Sequence, residues 1–252
     1  MRRTALGFGA AAAVALPVLV GAVYALLAAA GLAGAGSDGF TTAHFRDVLA
    51  DAATWRGVGW SIWIAAASTL LATAAAIGIA AMYRGTGLLD RTSRMFAALP
   101  LPVPHLVAAV LAVLVLGQSG LLARVAYAAG FISSPAEMPA LVYDRWGIGL
   151  ILAMTWKEIP FLSIIAVSLL ATRGSGTEEA ARTLGATPAQ VMSRITLPLL
   201  MRGLLPAVVA VFVFVVGNYE MAVLMAPSDP LALPLMIEER LNDPDLGRRG
   251  GA

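Results

Sequence analysis

The chain has 252 residues, 59% of them hydrophobic and 13% charged, with a mean hydropathy of +0.82. Soluble domains carry about a quarter charged residues, so an ordinary soluble globule is excluded and a multi-span membrane protein indicated. A net charge of +2 gives nucleic-acid binding no electrostatic support, and the absence of Cys removes disulfides, thiolate metal sites and Cys nucleophiles.

Met1-Arg2-Arg3 precedes an apolar run from Ala5 to Ala30, long enough to span a bilayer. Ala33-Gly34-Ala35 resembles a small-residue cleavage site, but the run is longer than a signal-peptide core, so it is read as an uncleaved first helix. Ser37 to Arg56 is polar. A second span is predicted over Val58–Met82, followed by a basic hairpin from Tyr83 to Arg94. The third span, Met95–Leu116, contains Leu99-Pro100-Leu101-Pro102-Val103-Pro104. Prolines at alternate positions cannot continue a regular helix, and this irregular lead-in is tolerable only where protein or water satisfies the freed carbonyls. Leu121 to Ala129 reads as a short interfacial helix ended by Ser133-Ser134-Pro135. The fourth span is Ile148–Ala171 and the fifth Gly203–Met225; Ala226 to Ala252 is polar and acidic and reads as a solvated face.

Basic residues favour the cytoplasmic side. With the N-terminus in the cytoplasm, inside segments hold nine arginines and three acids, against seven arginines and ten acids outside. The segment between the fourth and fifth spans, residues 172–202, is then cytoplasmic.

That segment is sharply punctuated. Ser175 with Glu178 makes one capping-box pattern, opening a helix from Gly176 to Leu184 in which Glu178 and Arg182 are spaced to pair. Gly185 suits a left-handed C-terminal cap. Thr187 with Gln190 makes a second box, with Pro188 at the first helical position. Pro198 is expected to reset the chain into the fifth span. Two short helices hinged at Gly185 are predicted, with the small side chains of Ala180 and Ala181 open to close approach by another protein.

Glu179-Ala180-Ala181, three residues, Gly185, nine residues, then Ile195-Thr196-Leu197-Pro198 resembles the EAA motif of ABC importer permeases, with every fixed position in register. Trp156-Lys157-Glu158-Ile159-Pro160-Phe161 and the proline-rich Leu99–Pro104 are also similar to that family, and the resemblance covers Val58 to Pro234. It implies an all-α type I importer permease of the bacterial inner membrane. About five transmembrane helices are present here, where the family core normally has a sixth, which suggests truncation before a last helix. Residues 1–56 would form the N-terminal helix and an extracytoplasmic loop, 57–234 the permease core, and 235–252 an extracytoplasmic tail.

By the same resemblance, Glu179, Ala180, Ala181, Gly185, Ile195, Leu197 and Pro198 couple to a cytoplasmic ABC ATPase dimer. ATP and Mg would sit on that partner and no cofactor on this chain. A second permease, identical or different, would complete the pore, and an extracytoplasmic solute-binding protein would deliver substrate. Leu184-Gly185-Ala186 looks more like permeases for polyamines, thiamine, iron or inorganic anions than like sugar permeases.

Trp156, Lys157, Glu158, Asn218, Tyr219 and Glu220 are the candidate pathway or gate residues, since ionisable groups in a span usually face protein or water. Lys157 and Glu158 are adjacent, about 100° apart on a helix, so they are not expected to face one direction, and inter-helix structural contacts with the partner permease or a cytoplasmic gate are the favoured reading. Glu220 either faces a cavity or turns to the interface. His105 reads as a core or interface residue, and Gln118 and Ser119 as a helix end. An intramembrane enzyme is disfavoured: Gly-x-Ser-x-Gly, His-Glu-x-x-His and Walker A patterns are all missing. A secondary transporter or channel without an ATPase is the alternative, which inverted repeats would support.

Overall fold

The computed structural model describes residues 2–34, 39–82, 100–173 and 176–251. Among them the α-helices are α1 Arg2–Ala29, α2 Ala43–Ala50, α3 Ala52–Met82, α4 His105–Leu116, α5 Leu121–Ala128, α6 Ile148–Arg173, α7 Gly176–Thr183, α8 Pro188–Val191, α9 Leu197–Val216, α10 Tyr219–Met225 and α11 Leu233–Leu241. Among the described residues, five stretches are long and apolar enough to cross a membrane: Ala12–Ala29, Ala52–Ala81, His105–Ala128, Ile148–Thr172 and Pro188–Val216. The expected basic hairpin and the start of the third span lie outside the described residues. The chain divides into two compact units, Met1–Gly57 with Leu235–Ala252, and Val58–Pro234.

In the smaller unit, the expected polar loop before the second span is itself helical, as α2, and α3 begins at Ala52 rather than Val58. The cause is Asp51. One carboxylate oxygen accepts from the Ala53 amide at 2.9 Å and the other from the Thr54 hydroxyl at 2.9 Å, which satisfies the first turn of α3. Arg240 of α11 donates to Asp51 at 3.1 Å and to Thr54 at 2.7 Å, so part of the acidic tail is folded back as helix. The amide bonds to the Asp51 carboxylate, reinforced by Thr54 and Arg240, hold its pKa below the usual value.

In the larger unit, α3, α6 and α9 pack around Ala80, Ala166, Leu200 and Leu204. Ala65, Ala72, Ala76 and Ala80 lie along one buried face of α3. Lipid tails are as apolar as leucine, so small residues help membrane helices associate by close backbone approach. The buried Ser68 and Thr73 hydroxyls return to carbonyls one turn back, of Ile64 and Thr69, at 2.7 Å each. At one end, the Trp60 and Trp63 indoles donate to the Arg145 and Trp146 carbonyls, fastening α3 to the segment that leads into α6.

Three expected boundaries shift. The interfacial helix α5 ends at Gly130, whose φ of 76° supplies the left-handed turn, and not at Ser133-Ser134-Pro135. Gln118 and Ser119 do follow a helix end, with Gly117 capping α4. The fifth span starts earlier and stops sooner: helix runs unbroken from Pro188 through a π-helical turn at Met192–Thr196 into α9, then breaks at Gly217. Pro198 therefore does not restart the chain. It follows the π turn, where the register has slipped by one residue, and the Leu197 amide reaches back to the Met192 carbonyl.

Candidate functional site: a hinged helical loop and a polar intramembrane cavity

The loop between α6 and α8 has the geometry its punctuation implies. α7 closes on Gly185 at φ 86°, with the Gly185 amide bonded to the Arg182 carbonyl at 2.9 Å and the Ala186 amide to the Ala181 carbonyl at 3.0 Å. This pair of bonds is a Schellman motif, which a left-handed glycine at that position permits. The Thr187 hydroxyl accepts from the Gln190 amide at 3.3 Å and the Gln190 side chain accepts from the Thr187 amide at 2.8 Å, completing a reciprocal capping box. Ser175, expected as the first cap, lies outside the described residues.

Glu178 reaches beyond its own helix. Its carboxylate accepts a 2.6 Å bond from Thr196, which is buried in the π turn. This bond ties the start of α7 to the foot of the fifth span, across the Gly185 hinge. Glu179 and Ala180 are exposed and Ala181 is half-buried. Ile195 is half-buried within the π turn, and Leu197 and Pro198 are exposed at the start of α9. Leu184, which sequence reasoning passed over as a site residue, is 88% exposed beside the hinge. The available signal was an apolar residue on an otherwise polar short helix, immediately before the capping glycine.

The candidate pathway residues separate into two places. Lys157 and Glu158 in the middle of α6 are both buried, and both line one open cavity of about 340 Å3 with Leu101, His105, Phe161, Ala210, Val211 and Phe214. The expectation that adjacent residues cannot serve one direction is thus corrected. About 100° separates their Cα–Cβ directions, but the long side chains curve round the helix to a common space. Lys157 Nζ lies 3.5 Å from the Leu101 carbonyl, one of the groups exposed by the proline-rich lead-in. Glu158 Oε1 lies 3.4 Å from His105 Nε2, and the imidazole also stands against the Phe214 ring at 4.9 Å. His105 is therefore part of the polar cluster, which its sequence position after Pro104 did not reveal. Trp156 is 43% exposed and outside this lining.

Asn218 lies elsewhere. It is buried and its side chain accepts from the Met221 amide at 2.9 Å, so it caps α10 and is not late in a continuous span. It borders a separate water-sized void with Trp60 and Met154. Tyr219 and Glu220 are exposed in the first turn of α10. Among the described residues, no group of three His, Asp or Glu is placed to hold a metal ion.

Residues 72–246 match the family model for the binding-protein-dependent transport system inner membrane component. The molybdenum transport system permease protein ModB of Mycobacterium tuberculosis is 34% identical over 73% of this chain and 68% of its own length. A probable molybdenum ABC transporter permease protein of Haloferax volcanii is 29% identical over 70% of this chain and 61% of its own. In fold, the chain is similar to a chain of a crystal structure of a bacterial ABC transporter involved in import of the acidic polysaccharide alginate. That likeness has a TM-score of 0.71 at 17% identity, covering 99% of this chain and 88% of the other.

Proposed function

Because the chain belongs to the binding-protein-dependent transport system inner membrane component family, and so is a multi-pass inner-membrane ABC importer permease, we propose that it imports a tetrahedral inorganic oxyanion. Molybdate is the first candidate and sulfate the second. Relatives named for molybdenum and for sulfate transport support this choice from the inorganic-anion class. Polyamine, thiamine and iron are set aside in favour of the class for which those relatives are named.

The observation that carries the energetic reading is the rigid loop. A capped helix that exposes Glu179, Ala180 and Leu184, hinged at Gly185, suits insertion into a cleft of a cytoplasmic ATPase dimer. The 2.6 Å bond from Thr196 to Glu178 would carry the motion of α7 into α9. ATP and Mg belong to the ATPase. Nucleotide favours one arrangement of its dimer, and a stiff loop converts that preference into a preference between inward-open and outward-open pores. The N-terminus is then cytoplasmic, a second permease completes the pore, and a binding protein loads it from outside. Trp156, Glu220 and Tyr219 remain candidates for contact with that second permease or with the pathway.

The test is coexpression with the ATPase of the same system. The tagged chain should retain the ATPase through purification, and Leu184→Cys should crosslink to a cysteine placed in the ATPase cleft. A chain that inserts in the membrane yet retains no ATPase and gives no crosslink would favour a secondary transporter instead.

A further inference from the structure

Lys157 is the only lysine in the chain and it is 6% exposed, in the middle of a membrane-spanning helix. A lysine at a bilayer centre is costly, so its neighbours must compensate or it must serve the cargo. An ammonium has three donors. Among the described residues its one polar contact is the Leu101 carbonyl at 3.5 Å, too long for a strong bond. The nearby carboxylate of Glu158 is directed instead to His105. Under-satisfied donors on a buried side chain thus border a cavity of about 340 Å3, walled by Phe161, Val211 and Phe214. A low-dielectric wall strengthens the attraction of such a group for a passing anion, and equally the repulsion from the Glu158 carboxylate on the same lining, so the side on which cargo meets the ammonium decides the balance.

We propose that Lys157 is the anion-contacting residue of the translocation pathway, with the Glu158 carboxylate beside His105 at 3.4 Å, leaving the ammonium open to cargo. This rests on the oxyanion reading above but names a residue and a geometry that reading does not need. Glu158 also gives the cavity a built-in opposing charge. A single ammonium beside a carboxylate binds an oxyanion weakly, as a pathway requires if cargo is to leave.

Two measurements on the full permease–ATPase complex in proteoliposomes test it. The first is ATP-driven molybdate uptake with loaded binding protein. Lys157→Gln should lose at least about tenfold of the rate, corresponding to about 1.4 kcal/mol, while Lys157→Arg keeps most of it. The second uses the absence of native cysteine. Phe161→Cys, which lines the same cavity, is labelled with a sulfonate-bearing and a trimethylammonium-bearing thiosulfonate, and the ratio of rates is compared with and without Lys157→Gln. The ratio should shift towards the cationic reagent when Lys157 is removed. Unchanged uptake in Lys157→Gln, an equal loss in Lys157→Arg and Lys157→Gln complexes that still assemble, or an unmoved labelling ratio would each overturn the assignment. A wild-type complex that imports no oxyanion but shows the ratio shift would overturn the cargo reading and leave the anion site standing.

Discussion

Replacing Gly185 is the sharpest perturbation of the hinge. Its φ of 86° lies where residues with a Cβ are strained, yet a Cβ built there meets nothing within 4 Å. Any effect of substitution is therefore conformational and not a clash with neighbours. The left-handed region costs an ordinary residue roughly 1–2 kcal/mol, more for a β-branched one and less for Asn. That strain lowers the population of the observed hinge by about 5- to 30-fold relative to one in which α7 has swung away. Gly185→Val should accordingly insert normally in the membrane, retain less ATPase on purification and transport poorly, while Gly185→Asn recovers most of both. Copurification at limiting ATPase and uptake in vesicles measure the two effects. Normal uptake and full ATPase retention by Gly185→Val would refute the reasoning, as would Asn and Val variants that are equally impaired.

Leu184→Ala should weaken ATPase retention: full burial of a leucine at a docking surface contributes about 1.5–3 kcal/mol, so titrated binding should fall by roughly 10- to 150-fold. Thr196→Val removes the bond to Glu178 and should cost about 1.5 kcal/mol, the low end for a bond to a charged group because Glu178 reaches solvent; amides of α7 should then exchange roughly tenfold faster with deuterium. Gly149→Ala would drive a methyl into the Leu141 carbonyl at the start of α6, and thermal unfolding in detergent should show about 1–3 kcal/mol of destabilisation. The Asp51 pKa is lowered in the folded state from 3.8, so its stabilisation is present above that value and is lost as pH falls through the lower folded one. Asp51→Asn should flatten that acid limb of the thermal-stability profile.

The hinged loop was legible because its determinants are local. Thr187, Pro188 and Gln190 specify a cap within four residues, and Gly185 specifies a left-handed turn by itself. The EAA pattern added the partner. The π turn was not legible, since a one-residue slip in hydrogen bonding leaves the apolar pattern of Val191 to Leu204 intact, and Pro198 alone reads as a break. The start of α3 was misjudged because Thr54 and Arg56 look like loop until Asp51 is seen to cap them. The polar cavity escaped for a different reason. His105, Lys157 and Phe214 come from three helices, and their convergence is a property of packing that no single helix carries.

This permease should move an oxyanion only when an ATPase drives its loop. ATP-dependent molybdate uptake by the reconstituted permease, ATPase and binding protein tests it most directly. Accumulation should start when ATP is supplied on the ATPase side of the membrane and stop when either the ATPase or the binding protein is left out. Uptake by the permease alone, driven by an ion gradient and indifferent to ATP, would contradict it.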